Sequence, residues 1–311
     1  MRIMRHRATI LILLGTLVLD VQTGLAQQKV GKPKVTNPPS KEIPADITAE
    51  LDVVYARYGK RELHLDLFRQ KTVRQPMPTL VVVHGGGWLK GEKTKFRALA
   101  IQLARRGFVT AAIEYRLGGE ALFPAAIHDC NAAVRFLRAH ANKYLVDPKR
   151  IGAIGGSAGG HLVGLMATAS HVEQFQGQGG NPEHSSRIQA AIVLAGPLEL
   201  ATGSVAEKSR KDPGNSNANK WFGKTIDEAP ELYRQASPFT HVSKETPPIL
   251  FMAGELDYPA RNQGTRDRLK ALGIETGIVV VKDGKHGCWN REPWFSLMIK
   301  DMNTFFRRML K

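Results

Sequence analysis

The sequence predicts an α/β fold: a doubly wound, mostly parallel sheet with helices on both faces. Three observations lead there. Short, nearly continuous apolar runs such as "TLVVVHGG" and "FVTAAIEY" fit strands covered on both sides. Segments such as "TKFRALAIQLARRG" carry apolar residues at helical spacing and stop at a glycine. The two kinds alternate along most of the chain, the order that builds parallel strands through crossover helices. A sheet of this kind gathers functional residues at the C-terminal ends of its strands.

Taken in order, "AELDVVYAR" and "RELHLDLFR" alternate apolar and polar residues about "YGK" and predict an entry hairpin. After the strand "TLVVVHGG", the helix "TKFRALAIQLARRG" and the strand "FVTAAIEY" comes "PAAIHDCNAAVRFLRAHANKYL". It opens on Pro124 and predicts one long helix. "RIGAIGG" reads as a strand, "SAGGHLVGLMATA" as a helix and "RIQAAIVLAG" as a strand. "PPILFMAG", "ARNQGTRDRLKALG" and "ETGIVVVKD" continue as strand, helix and strand, and "EPWFSLMIKDMNTFFRRML" closes as a helix. Residues 196–247, with "KDPGNSNANKWFGK", lack strong periodicity. A long irregular stretch inside a compact domain is usually functional, so residues 197–247 are expected to form a small cap or flap over the active-site edge.

The N-terminus is of a different kind. "MRIMRHR" is basic, residues 8–19 are an apolar run, and "GLA" places small residues before Ala26. As a helix that run would reach only about 18 Å, too short for a bilayer. Residues 1–26 therefore read as a cleaved signal peptide, cut near Ala26, for a secreted or periplasmic protein. No stable membrane insertion is expected after cleavage. Residues 27–45, rich in Lys, Pro and small polar residues, read as a flexible linker, and residues 46–311 as one domain.

The formal net charge of +16 stays strongly basic after loss of Arg2, Arg5, Arg7 and Asp20. An acidic polysaccharide or an anionic cell surface would attract such a protein. A dense Lys/Arg block and an interleaved aromatic stripe are both missing, so nucleic acid is not an expected partner and a solvated basic surface is the preferred reading. Cys130 and Cys288, the only cysteines, read as two buried thiols, with a bridge between them as the alternative.

The chemistry concentrates in four places. Gly155-Gly156-Ser157-Ala158-Gly159 has the form G-x-S-x-G between a strand and a helix, where a sharp turn presents a serine in strained geometry. Apolar patterns abut both sides, which excludes a linker. The Lys-Ser/Thr that a phosphate loop needs is replaced by His161 and Leu162. His84-Gly85-Gly86-Gly87-Trp88 ends an earlier strand and can offer the N–H groups of Gly86 and Gly87, beside that of Ala158, to an oxyanion. His84 itself reads as structural. Trp88 and Trp289 are candidates for lining a substrate pocket.

A serine nucleophile needs a base, and the base needs a carboxylate that orients it. Asp257 follows "PILFMAG" and His286 follows "TGIVVV", both just past strand ends. Glu255 and Asp283 are the rival carboxylates, Asp283 reading as a turn residue. Among the other histidines, His128, His140 and His161 fall on helices, and His171, His184 and His241 in or beside irregular segments.

Together these residues resemble the α/β-hydrolase fold and its HGGG-bearing esterases. "VVVHGGGW", "YRL", "FPAAIHDCNAAVRFLRAHANKY", "VDPKRIGAIGGSAGGHL", "ASPFTHVSKETPPILFMAGELD" and "KHG" are similar to the bacterial acetylxylan/feruloyl esterase group related to hormone-sensitive lipase. The likeness runs over about residues 48–310. It implies a Ser157–Asp257–His286 triad without metal or organic cofactor, and a small ester or acylated polysaccharide as substrate. The chain departs from hormone-sensitive-lipase relatives at Gly156, where they often carry Asp, and in lacking their large N-terminal cap. Three other readings remain open at this point. One is a general short-chain esterase; a lipase is weakened by the polar insertion, which makes a poor hydrophobic lid. Another is a peptidase-like hydrolase, weakened because nothing upstream resembles a β-propeller. The last is a binding protein on a degenerate hydrolase fold, which would be expected to have lost the serine, the histidine or the glycines.

Overall fold

A computed structural model describes residues 38–311; the signal-peptide reading and residues 27–37 of the linker lie outside them. Residues 38–44 carry no regular structure, and the chain enters the sheet at β1 (Ile47–Tyr58). Seven strands follow: β2 (Arg61–Gln70), β3 (Met77–Val83), β4 (Val109–Ile113), β5 (Val146–Gly156), β6 (Ala190–Leu194), β7 (Ile249–Gly254) and β8 (Thr276–Val281). They form one sheet in the order β1-β2-β4-β3-β5-β6-β7-β8. β1 and β2 are the expected hairpin, β2 also pairs antiparallel with β4, and every pairing from β4 to β8 is parallel.

The helices are α1 (Arg97–Ala104), α2 (Ala125–Ala139), α3 (Ala141–Tyr144), α4 (Ala158–Thr168), α5 (Gly203–Lys211), α6 (Asn217–Phe222), α7 (Pro230–Gln235), α8 (Gln263–Ala271) and α9 (Trp294–Met309). Successive side chains of a strand point to opposite faces, so the continuous apolar runs feed two cores. Val81, Val83 and Ala153 join one with α2 and α4; Leu80, Val82 and Ile154 join the other with α1 and α9. Both faces of the central strands are therefore dry, which is why their sequences are apolar without alternation.

Two expectations change. The single helix after Pro124 breaks at His140, which leaves helical backbone angles while its Nδ1 donates to Phe136 O (2.9 Å). The insertion is also not irregular: α5, α6 and α7 lie in it, each of nine residues or fewer. Helices this short hold too few turns to show a period in sequence. Their order comes from burial and a polar network instead. Trp221 and Tyr233 are fully buried in the same core as α4. Tyr233 OH donates to Asn219 Oδ1 (2.6 Å), and Asn219 Nδ2 donates to the carbonyls of Ser209 and Pro213 (3.1 Å each).

Among the described residues, no helix is long and apolar enough to cross a membrane. Cys130 and Cys288 are both free and buried, so the bridge between them is not formed.

Candidate active site

Ser157 stands between β5 and α4 with φ 56° and ψ −122°, a strained conformation for a residue with a Cβ. Its N–H donates to Leu194 O (2.8 Å), and its carbonyl accepts the first turn of α4 from His161 N (3.0 Å). The turn is tight because α4 crosses close over β3: a Cβ on Gly159 would lie 2.2 Å from Val83 O. The glycine-rich stretch around the serine is thus required by packing.

β7 and β8 bring the other two residues. Asp257, 7% exposed, is fixed by its own N–H donating to Gly254 O (3.0 Å). The loop after β8 is tied to the loop after β7: Leu256 N donates to Gly284 O (2.9 Å), and Asp283 N donates to Glu255 Oε2 (3.0 Å). Glu255, one rival carboxylate, therefore holds the loop that carries His286 through the backbone N–H of Asp283, the other rival. His286 Nδ1 lies 2.7 Å from Asp257 Oδ2, and its Nε2 lies 3.0 Å from Ser157 Oγ. A carboxylate can only accept, so Nδ1 carries the proton and Nε2 is free to accept from the serine hydroxyl. The three side chains, expected together from sequence, form one continuous relay.

The loop after β3 packs directly on the serine turn: a Cβ on Gly85 would lie 3.1 Å from Ser157 Cβ. At Gly86 the chain takes φ +150°, and a side chain there would collide with Lys90 O. Among the described residues the N–H groups of Gly86, Gly87 and Ala158 find no acceptor. Ala158 is the first residue of α4, where a helix leaves its N–H groups free and its dipole favours negative charge. The arrangement can polarise an acyl carbonyl and stabilise a tetrahedral oxyanion beside a general base.

His84 has the structural role read from sequence. It is 1% exposed, stacks on Tyr115 (4.4 Å), and burial pushes its pKa down to about 4. Trp88 stacks on Trp221 of the insertion (5.0 Å), and its Nε1 donates to His161 Nδ1 (3.2 Å). It also lines a cavity of about 320 Å³ with Lys208, Asn215 and Asn217. Trp289 departs from the expectation of a pocket residue. It is 3% exposed, packs edge-on against the His286 ring (5.2 Å) and backs the histidine from the core side. The neighbouring Cys288 thiol is pushed up to about 11 by burial first and by Asp257 second, which leaves it protonated and inert.

Two residues escaped the sequence reading. Arg261 donates to Asp257 Oδ1 (3.3 Å) and to Ala195 O (2.6 Å), bracing the carboxylate on the side away from His286. An arginine four residues past the candidate acid was the available signal. Asn217 lies against the oxyanion loop, its Nδ2 2.2 Å from where a Cβ of Gly87 would stand; no pattern in the sequence marks it. No group of three or more His, Cys, Asp or Glu among the described residues is arranged to hold a metal ion.

Comparison with known proteins agrees with this architecture. A family model described as BD-FAE matches residues 65–267. The chain is 30% identical over 230 residues to "Esterase LipC" of Mycobacterium tuberculosis, a match over 72% of this chain and 56% of that protein. It is 31% identical over 215 residues to "Probable carboxylic ester hydrolase LipM" of the same organism, covering 68% and 49%. The chain thus spans about half the length of these mycobacterial relatives. A solved truncated form of a carbohydrate esterase from gut microbiota superposes with a TM-score of 0.74 at 25% identity, over 88% of this chain and 99% of that one. Apo Thermogutta terrifontis esterase 2 gives 0.71 at 25% identity, over 86% and 96%. With the family match spanning most of the chain and the eight-stranded sheet shared with these esterase structures, the chain belongs to the BD-FAE family of α/β hydrolases.

Proposed function

We propose that this protein is an exported serine carboxylesterase that removes acetyl or feruloyl groups from carbohydrate. The observation that carries the reading is the relay from Asp257 Oδ2 through His286 to Ser157 Oγ, at 2.7 and 3.0 Å, with the serine on a strained strand-to-helix turn.

The chemistry follows from that relay. His286 Nε2 takes the Ser157 proton as Oγ attacks the ester carbonyl, and the N–H groups of Gly86, Gly87 and Ala158 receive the oxyanion. Each such donor contributes about 2.7–4 kcal/mol in the transition state. The imidazolium, stabilised by Asp257, then protonates the departing alcohol and leaves an acyl-Ser157. Water enters on His286, attacks the acyl group and releases the acid. Arg261 keeps Asp257 oriented throughout.

Carbohydrate as the alcohol is supported by the gut-microbiota carbohydrate esterase among the structural neighbours, which matches over nearly its whole length. The insertion turns Trp221, Phe222 and Tyr233 into the core and so presents no apolar lid for a lipid. A general short-chain carboxylesterase is the second reading, favoured by the esterase names of the mycobacterial relatives. Export rests on the signal-like residues 1–26, and N-terminal sequencing of the processed protein near Ala26 tests it.

Hydrolysis of p-nitrophenyl acetate by the wild type and by Ser157→Ala tests the esterase reading. Loss of activity in the variant is expected, and equal rates overturn the assignment. Acetylated xylan and methyl ferulate come next. Turnover of either supports carbohydrate, while failure on both leaves a general esterase.

A further inference from the structure

A second cavity, of about 330 Å³, opens over the ends of β6 and β7 and is lined by Glu199, Thr202, Ser204, Glu207, Tyr258 and Arg261. We propose that it is the subsite for the sugar alcohol, with Tyr258 as the stacking platform and Glu199 and Glu207 as acceptors for ring hydroxyls. This rests on the carbohydrate-ester reading and says where the sugar sits.

Position assigns the side. Ser204 lines both this cavity and the one beside Trp88. In the strand order β3-β5-β6-β7-β8, the Trp88 cavity adjoins the loop after β3, while the Tyr258 cavity adjoins the loops after β6 and β7. Ser157 directly follows β5, the strand that stands between β3 and β6. His286 reaches the serine from the β8 side, and the alkoxide must leave within reach of its Nε2 to be protonated. The alcohol is therefore placed on the β6–β7 side and the acyl group towards Trp88.

The lining suits a neutral polyol. Tyr258 follows Asp257 directly, holds φ 49° and ψ 69°, and at 65% exposed is the most exposed large hydrophobic side chain among the described residues. Left-handed backbone at a non-glycine residue is strained, and such strain gathers at active sites and ligand clamps. The C–H face of a pyranose stacks on an exposed tyrosine ring. Among the described residues Glu199 accepts only from Thr202 Oγ1 (3.5 Å) and Thr265 Oγ1 (3.4 Å), at the long limit of hydrogen bonding, so most of its acceptor capacity is left open there. Two carboxylates facing this cavity in a protein of net charge +16 disfavour an anionic alcohol. Arg261 is already committed to Asp257 and Ala195 O.

The test compares acetylated xylotriose with ethyl acetate, which share an acyl group and differ in whether the alcohol reaches the cavity. Both are followed in a pH-stat with wild type, Tyr258→Asn, which tolerates the left-handed backbone, Tyr258→Phe and Glu199→Gln. Tyr258→Asn is expected to raise KM for acetylated xylotriose about fivefold to tenfold more than for ethyl acetate, the range that aromatic stacking carries. Tyr258→Phe keeps the ring and should recover most of the affinity for acetylated xylotriose that Tyr258→Asn loses. Glu199→Gln should raise KM for the sugar ester alone. Equal responses of the two esters to Tyr258→Asn overturn the subsite while leaving the carbohydrate reading intact. Hydrolysis of ethyl acetate with none of acetylated xylotriose by the wild type overturns both.

Discussion

Trp289 Nε1 lies 2.7 Å from the point where a Cβ on Gly156 would stand. The indole occupies the space beside the nucleophile turn that a side chain before Ser157 would need, and its ring also backs His286. The glycine before the serine and the tryptophan after the histidine are thus one packing solution, and neither residue is free to change alone.

Gly156→Ala should therefore displace Trp289 and, through it, the His286 ring. Overpacking of this kind costs about 1–3 kcal/mol, and kcat is expected to fall further than KM rises. Urea denaturation and steady-state kinetics read both effects. Trp289→Phe, with a smaller ring, should relieve part of the loss, so the double variant will be less impaired than the sum of the singles. Full additivity contradicts the coupling.

Asp257 and Glu255 should separate by role. Asp257→Asn keeps shape but lets the imidazole take the wrong tautomer, a change that lowers kcat by about 10⁴ in enzymes with this triad. Glu255→Gln can still accept from Asp283 N, so the loop carrying His286 keeps its tie and kcat should change by less than about tenfold. A larger loss in Glu255→Gln than in Asp257→Asn would reassign the triad acid.

Stability should fall on mild acidification. Burial holds His84 and His161 down to about 4, below the ordinary 6.5. The unfolded chain then takes up more protons than the folded one between those values. Stability is full above pH 6.5 and declines as the pH drops towards 4, on the order of 3 kcal/mol for each histidine. His161→Gln can keep both bonds, accepting from Trp88 and donating to Ala236 O, while removing the titration. Denaturant midpoints for that variant should depend less steeply on pH between 7 and 5 than those of the wild type. Identical slopes contradict the assignment.

The two thiols should be unreactive in the folded protein. Cys130 is fully buried, and burial raises both thiols above their usual range. Ellman's reagent is expected to modify neither until denaturant is added, and dithiothreitol should leave the thermal midpoint unchanged. A drop in midpoint on reduction would mean that a disulfide forms.

Much of this was legible in the chain because the fold depends on short-range patterns. The runs at Val81–Val83 and Ile151–Ile154 announce dry strands, and the glycines around Ser157 announce a turn packed from both sides. The triad acid was legible as a place, the end of β7, and its rivals were separated only by the fold: Glu255 turns out to bond Asp283 N. The insertion was not legible. Its helices are fixed by Trp221 stacking on Trp88 far along the chain and by Asn219 and Tyr233 bonding within the insertion, and such contacts leave no period. Trp289 misled for a related reason, since an aromatic residue near a catalytic loop has the same sequence signature whether it faces ligand or core. Arg261 and Asn217 depend on side-chain direction, which spacing alone does not give.

Intact-protein and peptide mass spectrometry after treatment with a phosphorylating inhibitor such as paraoxon tests the nucleophile most directly. One phosphoryl adduct is expected, on the peptide containing Ser157, formed with loss of esterase activity and absent from Ser157→Ala. An adduct on another residue, or full activity in a protein quantitatively modified at Ser157, would contradict the assignment of Ser157 as the residue that carries the acyl group.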